Sequence, residues 1–301
     1  MRIIFLGTPD FSVPSLDAIV KAGHEVVAVV TMPDKQAGRG MQLQQSAVKK
    51  YAVENNIKVL QPVKLKDPEF IAELQALKAE LQVVIAFRML PQIVWEMPKF
   101  GTLNLHASLL PDYRGAAPIN WAIINGETKT GVSTFFLKHE IDTGDVLLTH
   151  EVEIAPTMNA GELHDLLMNI GAETVLKSLE LIENGNTKGM PQGNDNNKMA
   201  PKIFKENCLI NWDKSAENIY NLIRGLSPYP AAFTHFDGKI LKVFGANVEL
   251  TKHNDPIGKI ISDNKTFLKV ACQNGFVHLL QIQLEGKKRI GVEEFLRGHK
   301  I

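Results

Sequence analysis

Three short apolar runs limit what this chain can fold into: RIIFLG (Arg2–Gly7), EVVAVVT (residues 25–31) and QVVIAF (residues 82–87). Past a polar first residue each is apolar at successive positions instead of alternating, which is the pattern of a strand buried on both faces. Helical stretches separate them, over residues 13–23, 46–55 and 69–79, and residues 57–60 add a further short strand. Residues 102–107 then read as a strand and 117–125 as a helix. Strands that alternate with helices need crossover connections, so the expected architecture is α/β, with a Rossmann-like parallel sheet covered on both sides.

Residues 158–183 have the spacing of one long helix. Asn159 is placed to cap it, with Glu162 three positions on, and aliphatic residues recur at 163, 166, 167, 170, 176 and 179. The stretch NTKGMPQGNDNNKMAPK that follows is rich in Asn, Gly and Pro and has almost nothing to bury, the composition of a linker. Beyond it, residues 216–226 are helical in spacing. Short β-like runs follow at hairpin intervals (AAFTHF, ILKVFGANVEL, GKIISD, FLKVAC, FVHLLQIQ), the pattern of a small OB-like β-barrel. The expected organisation is a catalytic domain over 1–188, a linker over 189–204 and a C-terminal domain over 205–301.

Composition narrows the function classes. Hydrophobic residues make up 45% and charged residues 22% of 301, an ordinary globular balance. No run of about 18 apolar residues is present to span a membrane. The start, MRIIFLGTPDFS, does not have the pattern of a signal peptide. Cys208 and Cys272 have no metal-like spacing and make no disulfide framework. No HExxH or CxxC motif points to a metal, and GTPDF at the first strand end lacks the GxGxxG of a dinucleotide site. These features fit a cytoplasmic enzyme. The formal charge is zero overall but uneven: 19 Lys+Arg against 23 Asp+Glu in residues 1–204 gives −4, and 14 against 10 in residues 205–301 gives +4. A basic C-terminal part is one footprint of a polyanionic partner, and it is also an ordinary fluctuation between two solvated surfaces.

The stretch NLHASLLPDYRG changes character halfway. Asn104 and His106 lie two apart on a strand, so they share a face while Leu103 and Leu105 share the other. Ligands of open α/β sheets bind beyond the carboxyl ends of the strands, where these two side chains fall. An Asn amide can donate to a developing oxyanion, and a neighbouring His can carry a proton. The apolar turn Ser108-Leu109-Leu110-Pro111 follows at once and offers a wall for a flat heterocycle. Farther on, IDTGD brings Asp142 into a glycine-containing turn, where it can orient His106. A plain turn aspartate and a satisfied strand-end Asn–His pair are the alternatives.

NLHASLLPDYRGAAPI together with TGVSTFFLKHEIDTGD resembles the folate-dependent formyltransferases. GTPDFSVPSLDAI, TMPDKQAGRGMQLQQSAVKKYA and MAPKIFKENCLINWDKSAENIYNLIRGLSPYPAAFT are similar to the branch of that family that formylates methionyl-tRNA. The resemblance runs over essentially the whole chain. It implies 10-formyltetrahydrofolate as formyl donor and initiator methionyl-tRNA as acceptor, with Asn104, His106 and Asp142 catalytic and no covalent enzyme intermediate. It places the folate against Ser108, Leu109, Leu110 and Pro111, with Phe87 and Met89 beside it. The loop PDKQAGRG, with Lys35 and Arg39, would meet the acceptor end of the tRNA. Lys202 and Arg224 match basic positions of the family, which implies an RNA or interdomain role for them. No metal, membrane or protein partner is implied, and a monomer is expected.

Two departures stand out. The segment AFRMLP carries Arg88 and is one residue shorter than usual, and Lys138-His139 stands where many members have an acidic residue. His139 is expected on the surface. The Asn–His–Asp core is shared by relatives that formylate glycinamide ribonucleotide or an amino sugar-nucleotide, and by others that hydrolyse the donor to formate. The PDKQAGRG loop and the C-terminal domain separate those readings from tRNA formylation, since a small acceptor needs neither. A tRNA-binding module on a dead scaffold and a Rossmann dehydrogenase are rivals from other classes.

Overall fold

The computed structural model describes residues 1–37, 42–140, 142–193 and 198–301. The chain packs as two compact units that interleave along the sequence. One comprises Met1–Arg114, Gly131–Val152 and His164–Met199, and the other Gly115–Thr130, Glu153–Leu163 and Ala200–Ile301.

The first unit is built on one seven-stranded sheet. Its strands are β1 (Arg2–Gly7), β2 (Glu25–Val30), β3 (Val59–Leu60), β4 (Leu81–Ile85), β5 (Thr102–His106), β6 (Lys129–Phe136) and β7 (Val146–Glu153), in the order β7-β6-β5-β4-β1-β2-β3. The first five pair in parallel, as the unbroken apolar runs require. Ile3, Ile4, Phe5 and Leu6 are each at most 1% exposed, so β1 is covered on both faces. β6 departs from the all-parallel expectation by pairing antiparallel to β5. Mixed sheets of this kind commonly carry such a strand toward one side.

Local signals set the helix ends. Ser46 accepts a hydrogen bond from the Lys49 amide at the start of Ala47–Glu54, and Asp67 accepts one from Glu69 before Pro68–Ala76. These caps satisfy amides that no preceding turn can reach. The long helix runs Ala160–Glu183 as its spacing predicts. The Asn159 side chain accepts from the amides of Gly161 and Glu162 at 2.9 and 3.1 Å, and Glu162 accepts from the Asn159 amide at 2.8 Å, a reciprocal capping box.

The second unit holds an antiparallel sheet of β8 (Ala232–Phe236), β9 (Lys239–Leu250), β10 (Ile260–Ser262), β11 (Leu268–Cys272), β12 (Gly275–Leu284) and β13 (Ile290–Gly291). The order is β8-β9-β12-β11-β10, with β13 also on β12. The register of β9 against β12 shifts around Gly245, an irregularity that bends the strand. Ile219, Ile223 and Leu226, at or just beyond the helix Ala216–Gly225, pack with Leu241, Val243 and Ile282 of the sheet into one apolar core.

Candidate active site

β5 places the two polar side chains that the sequence singles out. Asn104 pairs with Val84 of β4 and Phe135 of β6, and His106 pairs with Ser133. Leu103 and Leu105 point into the core at 0% and 3% exposure, which turns Asn104 and His106 together to the opposite face. Asn104 is half-buried and His106 is buried. Counting outward from β1, the parallel strands run to β2 and β3 on one side and to β4 and β5 on the other. The switch point at which such sheets bind ligands falls between β1 and β4, and the carboxyl end of β5 lies one strand farther out on the same edge.

His106 is oriented from two sides. Its Nε2 lies 2.8 Å from the Tyr113 carbonyl oxygen, an acceptor only, so Nε2 carries a proton. Its Nδ1 faces Asp142 Oδ2 at 4.0 Å, within ion-pair reach and longer than a hydrogen bond. Both partners sit in left-handed backbone, with φ of 61° at Tyr113 and 55° at Asp142. This conformation is uncommon for residues with a Cβ, so each site depends on its surroundings to hold it. Gly144 lets the Asp142 turn close: a Cβ there would overlap the Phe136 carbonyl oxygen and come within 2.9 Å of the Phe135 ring.

The turn 108–111 is held from inside the fold. Ser133 Oγ donates to the Ser108 carbonyl at 2.7 Å and accepts from the Leu110 amide at 3.0 Å, and Ser108 Oγ donates to the Asp112 carbonyl at 2.6 Å. The Leu110–Pro111 peptide is cis. Ser108 and Leu110 are buried, which leaves Leu109 and Pro111 as the half-buried members of the turn. Beside the Asp142 turn lies a cleft of about 660 Å³ whose lining includes Trp95, Arg114, Leu137, His139, Thr143 and Gln192.

An Asn donor, an oriented imidazole and a carboxylate behind it, set beside a rigid turn, form a site suited to acyl transfer. The profile described as "Formyl transferase" matches residues 1–179, and that described as "Formyl transferase, C-terminal domain" matches residues 202–300. The chain belongs to the formyl transferase family. It is 56% identical to the methionyl-tRNA formyltransferase of Flavobacterium johnsoniae, over 99% of this chain and 96% of that protein. It is 50% identical to the methionyl-tRNA formyltransferase of Bacteroides fragilis, over 99% and 95%. Among solved structures it resembles an N-formyltransferase from Helicobacter canadensis in complex with folinic acid and dTDP-3-aminofucose. That match has a TM-score of 0.72, 21% identity, and covers 94% of this chain and 100% of that one. HypX from Aquifex aeolicus in complex with tetrahydrofolic acid matches with a TM-score of 0.68 at 21% identity, over 98% of this chain and 47% of that one. At such identities these two likenesses concern the formyl transferase fold.

The remaining residues singled out by sequence fall in different environments. Phe87 is half-buried against the core, and Met89 is 72% exposed, an apolar side chain left in solvent. Between them Arg88 turns away and donates to the Pro62 and Val63 carbonyls. Burial pushes its guanidinium pKa below the usual arginine range. Lys35 is exposed, and Arg39 lies outside the described residues. Lys202 is exposed with its ammonium 5.6 Å from the ring of Phe204, itself 57% exposed. Arg224 differs from an exposed RNA contact: it is 8% exposed, and its guanidinium donates to Asn221 Oδ1 at 2.9 Å and the Met158 carbonyl at 3.0 Å. Desolvation pushes its pKa down as well. His139 is exposed, with its ring edge-on to Trp95 at 5.6 Å.

Sequence reading missed Gln192 and Ser133. Ser133 sits in the buried strand segment TGVSTFF, flanked by the buried hydroxyls of Thr130 and Thr134, and a buried hydroxyl must find a partner. Gln192 lies in the polar stretch after the long helix and gives no local signal. Among the described residues, no cluster of three or more His, Cys, Asp or Glu side chains could hold a metal ion, and no helix is long and apolar enough to cross a membrane.

Proposed function

We propose that this chain transfers the formyl group of 10-formyltetrahydrofolate to the α-amino group of methionine on initiator methionyl-tRNA. The product is N-formylmethionyl-tRNA for translation initiation, and the enzyme acts in the cytoplasm as a monomer. The observation that carries the choice of acceptor is likeness over nearly the whole chain, C-terminal region included, to proteins named methionyl-tRNA formyltransferase. A small acceptor such as glycinamide ribonucleotide or an amino sugar-nucleotide is the competing reading within the family.

The donor supplies an electrophilic formyl carbon whose oxygen gains negative charge as the amine attacks. Asn104, half-buried on β5, gives its amide N–H to that oxygen. Such a donor is worth roughly 10²–10³ in rate, because it is fixed before the charge appears. His106 carries protons between the attacking nitrogen and the departing one, a role worth about 10²–10⁴, and to do so its Nε2 exchanges the Tyr113 carbonyl for the substrate while Nδ1 stays turned to Asp142. One nitrogen–carbon bond forms and one breaks, and the proton lost by the amine is matched by the proton gained at the leaving nitrogen. His106 therefore ends each cycle as it began. Asp142 orients the ring from the Nδ1 side. The half-buried Leu109 and Pro111, with Phe87 and the exposed Met89, supply apolar surface for the donor's heterocycle.

In the same reading, residues 1–188 carry the catalytic side chains, 189–204 lead on from them, and 205–301 hold the tRNA. Lys35, Arg39 and Lys202 contact it, and Arg224 supports that region from the interior. Exposed Phe204 between Lys202 and Lys205 is a base-stacking surface beside two cations. The net +4 of residues 205–301 makes the binding salt-sensitive. The test supplies 10-formyltetrahydrofolate with charged initiator tRNA, charged elongator tRNA and glycinamide ribonucleotide in parallel. Formylation of the initiator tRNA is expected, and formylation of the nucleotide alone would overturn the proposal.

A further inference from the structure

We infer that Gln192 is the positioning residue for Asp142, and that the segment after the long helix is a built part of the catalytic scaffold. This rests on the reading of His106 and Asp142 as the catalytic pair. The Gln192 side chain spends its whole hydrogen-bonding capacity on two turns. Its Oε1 accepts from Arg114 Nε at 3.0 Å and Arg114 Nη2 at 2.6 Å. Its Nε2 donates to the Asp142 carbonyl at 2.8 Å and the Gly144 carbonyl at 2.7 Å. A guanidinium only donates and a carbonyl only accepts, so the amide has one possible orientation. Two carbonyls of the same turn, two residues apart, are thereby gripped by one NH₂ group.

The backbone around Gln192 is fixed in register with that turn. Met190 and Val146 exchange two backbone hydrogen bonds, at 2.9 and 2.8 Å. Gly189 passes so close that a Cβ there would lie 2.9 Å from the backbone and Cβ of Asp145. Asp142 itself is in left-handed backbone, so its carboxylate position follows from how its own peptide is held. The same segment also reaches the other partner of His106. The Lys198 carbonyl accepts from the Tyr113 amide at 2.5 Å, and the Tyr113 carbonyl accepts from His106 Nε2. Both groups that aim the imidazole are thus tied to residues beyond the long helix, Asp142 through Gln192 and Tyr113 through Lys198. Hydrogen bonds do here what burial does elsewhere.

A double-mutant cycle on the full-length protein tests this, using formyl transfer from 10-formyltetrahydrofolate to charged initiator tRNA. Gln192→Met keeps the shape and removes all four hydrogen bonds. Gln192→Glu keeps an acceptor for Arg114 and removes only the donors to Asp142 and Gly144. Both should lower kcat roughly tenfold or more, with KM for donor and acceptor within about twofold. In an Asp142→Asn background, Gln192→Met should cause little further loss, because the two act through one interaction. Amide exchange of residues 142–146 should speed up in both Gln192 variants while melting temperatures stay close to the parent, which separates loosening of the turn from loss of the fold. An Asp142→Asn enzyme that is slow beside a Gln192→Met enzyme at full rate would overturn the inference alone. Full additivity, or a change confined to KM, would do the same. An Asp142→Asn enzyme at full rate would remove the catalytic reading and the inference together.

Discussion

Replacing Ser133 by Ala removes one hydroxyl and strands two backbone groups. Ser133 is fully buried, and its Oγ joins the Ser108 carbonyl and the Leu110 amide across the 108–111 turn. Ser108 and Leu110 are buried too, so water does not readily replace the lost partner. Each buried group left unpaired costs about 1–3 kcal/mol, and modest relaxation of the turn puts the pair near the lower half of the sum, roughly 2–3 kcal/mol. At about 2–4 °C per kcal/mol for a unit of this size, the melting temperature should fall by roughly 4–12 °C. The turn also carries Leu109 and Pro111, the apolar members facing the proposed donor, so KM for 10-formyltetrahydrofolate should rise by up to about tenfold, or 1.4 kcal/mol. Thermal melting and donor titration at saturating tRNA measure the two effects. Ser108→Ala is the control: it loses only the 2.6 Å bond to the Asp112 carbonyl and should cost less on both readouts. A Ser133→Ala enzyme with a melting shift under about 2 °C and an unchanged donor KM would refute the idea that this hydroxyl holds the turn.

Three further outcomes are expected. Gly144→Ala forces a Cβ against the Phe136 carbonyl and the Phe135 ring, so the Asp142 turn must move; a loss of about 1–3 kcal/mol in stability with reduced kcat should follow, readable by melting and steady-state rates. In the second unit, the Lys269 ammonium, then the His278 ring, holds the Glu249 carboxyl below its ordinary range. That stability is present above the unfolded value of about 4.3 and is lost as pH falls through the lower folded value. Glu249→Gln should therefore narrow the difference between urea midpoints at pH 5 and pH 3. Finally, Cys208 and Cys272 are buried free thiols whose pKa values desolvation pushes up, which disfavours a nucleophilic thiolate. A Cys208→Ser/Cys272→Ser double variant should keep its single-turnover rate within about twofold.

What was legible in the sequence has local causes. The parallel core follows from unbroken apolar runs, the shared face of Asn104 and His106 from the period of two, and the long helix from its spacing and the Asn159 cap. The rest depends on partners far away in sequence. Arg88 caps carbonyls 25 and 26 residues earlier, and Gln192 holds a turn 48 to 50 residues before it. Nothing in the composition around either residue records those partners. Residues 115–130 pack with the second unit because the helix Pro118–Ile124 meets Ala216–Gly225, with the Asn120 amide on the Gly225 carbonyl at 2.7 Å. That helix begins with a proline and has no polar cap, so its own sequence does not announce its neighbour. Arg224 was legible as a basic position, yet its burial comes from Asn221 and the Met158 carbonyl, 66 residues away.

The claim that negative charge on the formyl oxygen is met by Asn104 is tested most directly by single-turnover formyl transfer with Asn104→Ala, alongside equilibrium binding of the folate donor. The rate is expected to fall by roughly 10²–10³ with donor affinity nearly unchanged. A collapse of donor affinity, or a rate within a few-fold of the parent, would contradict it.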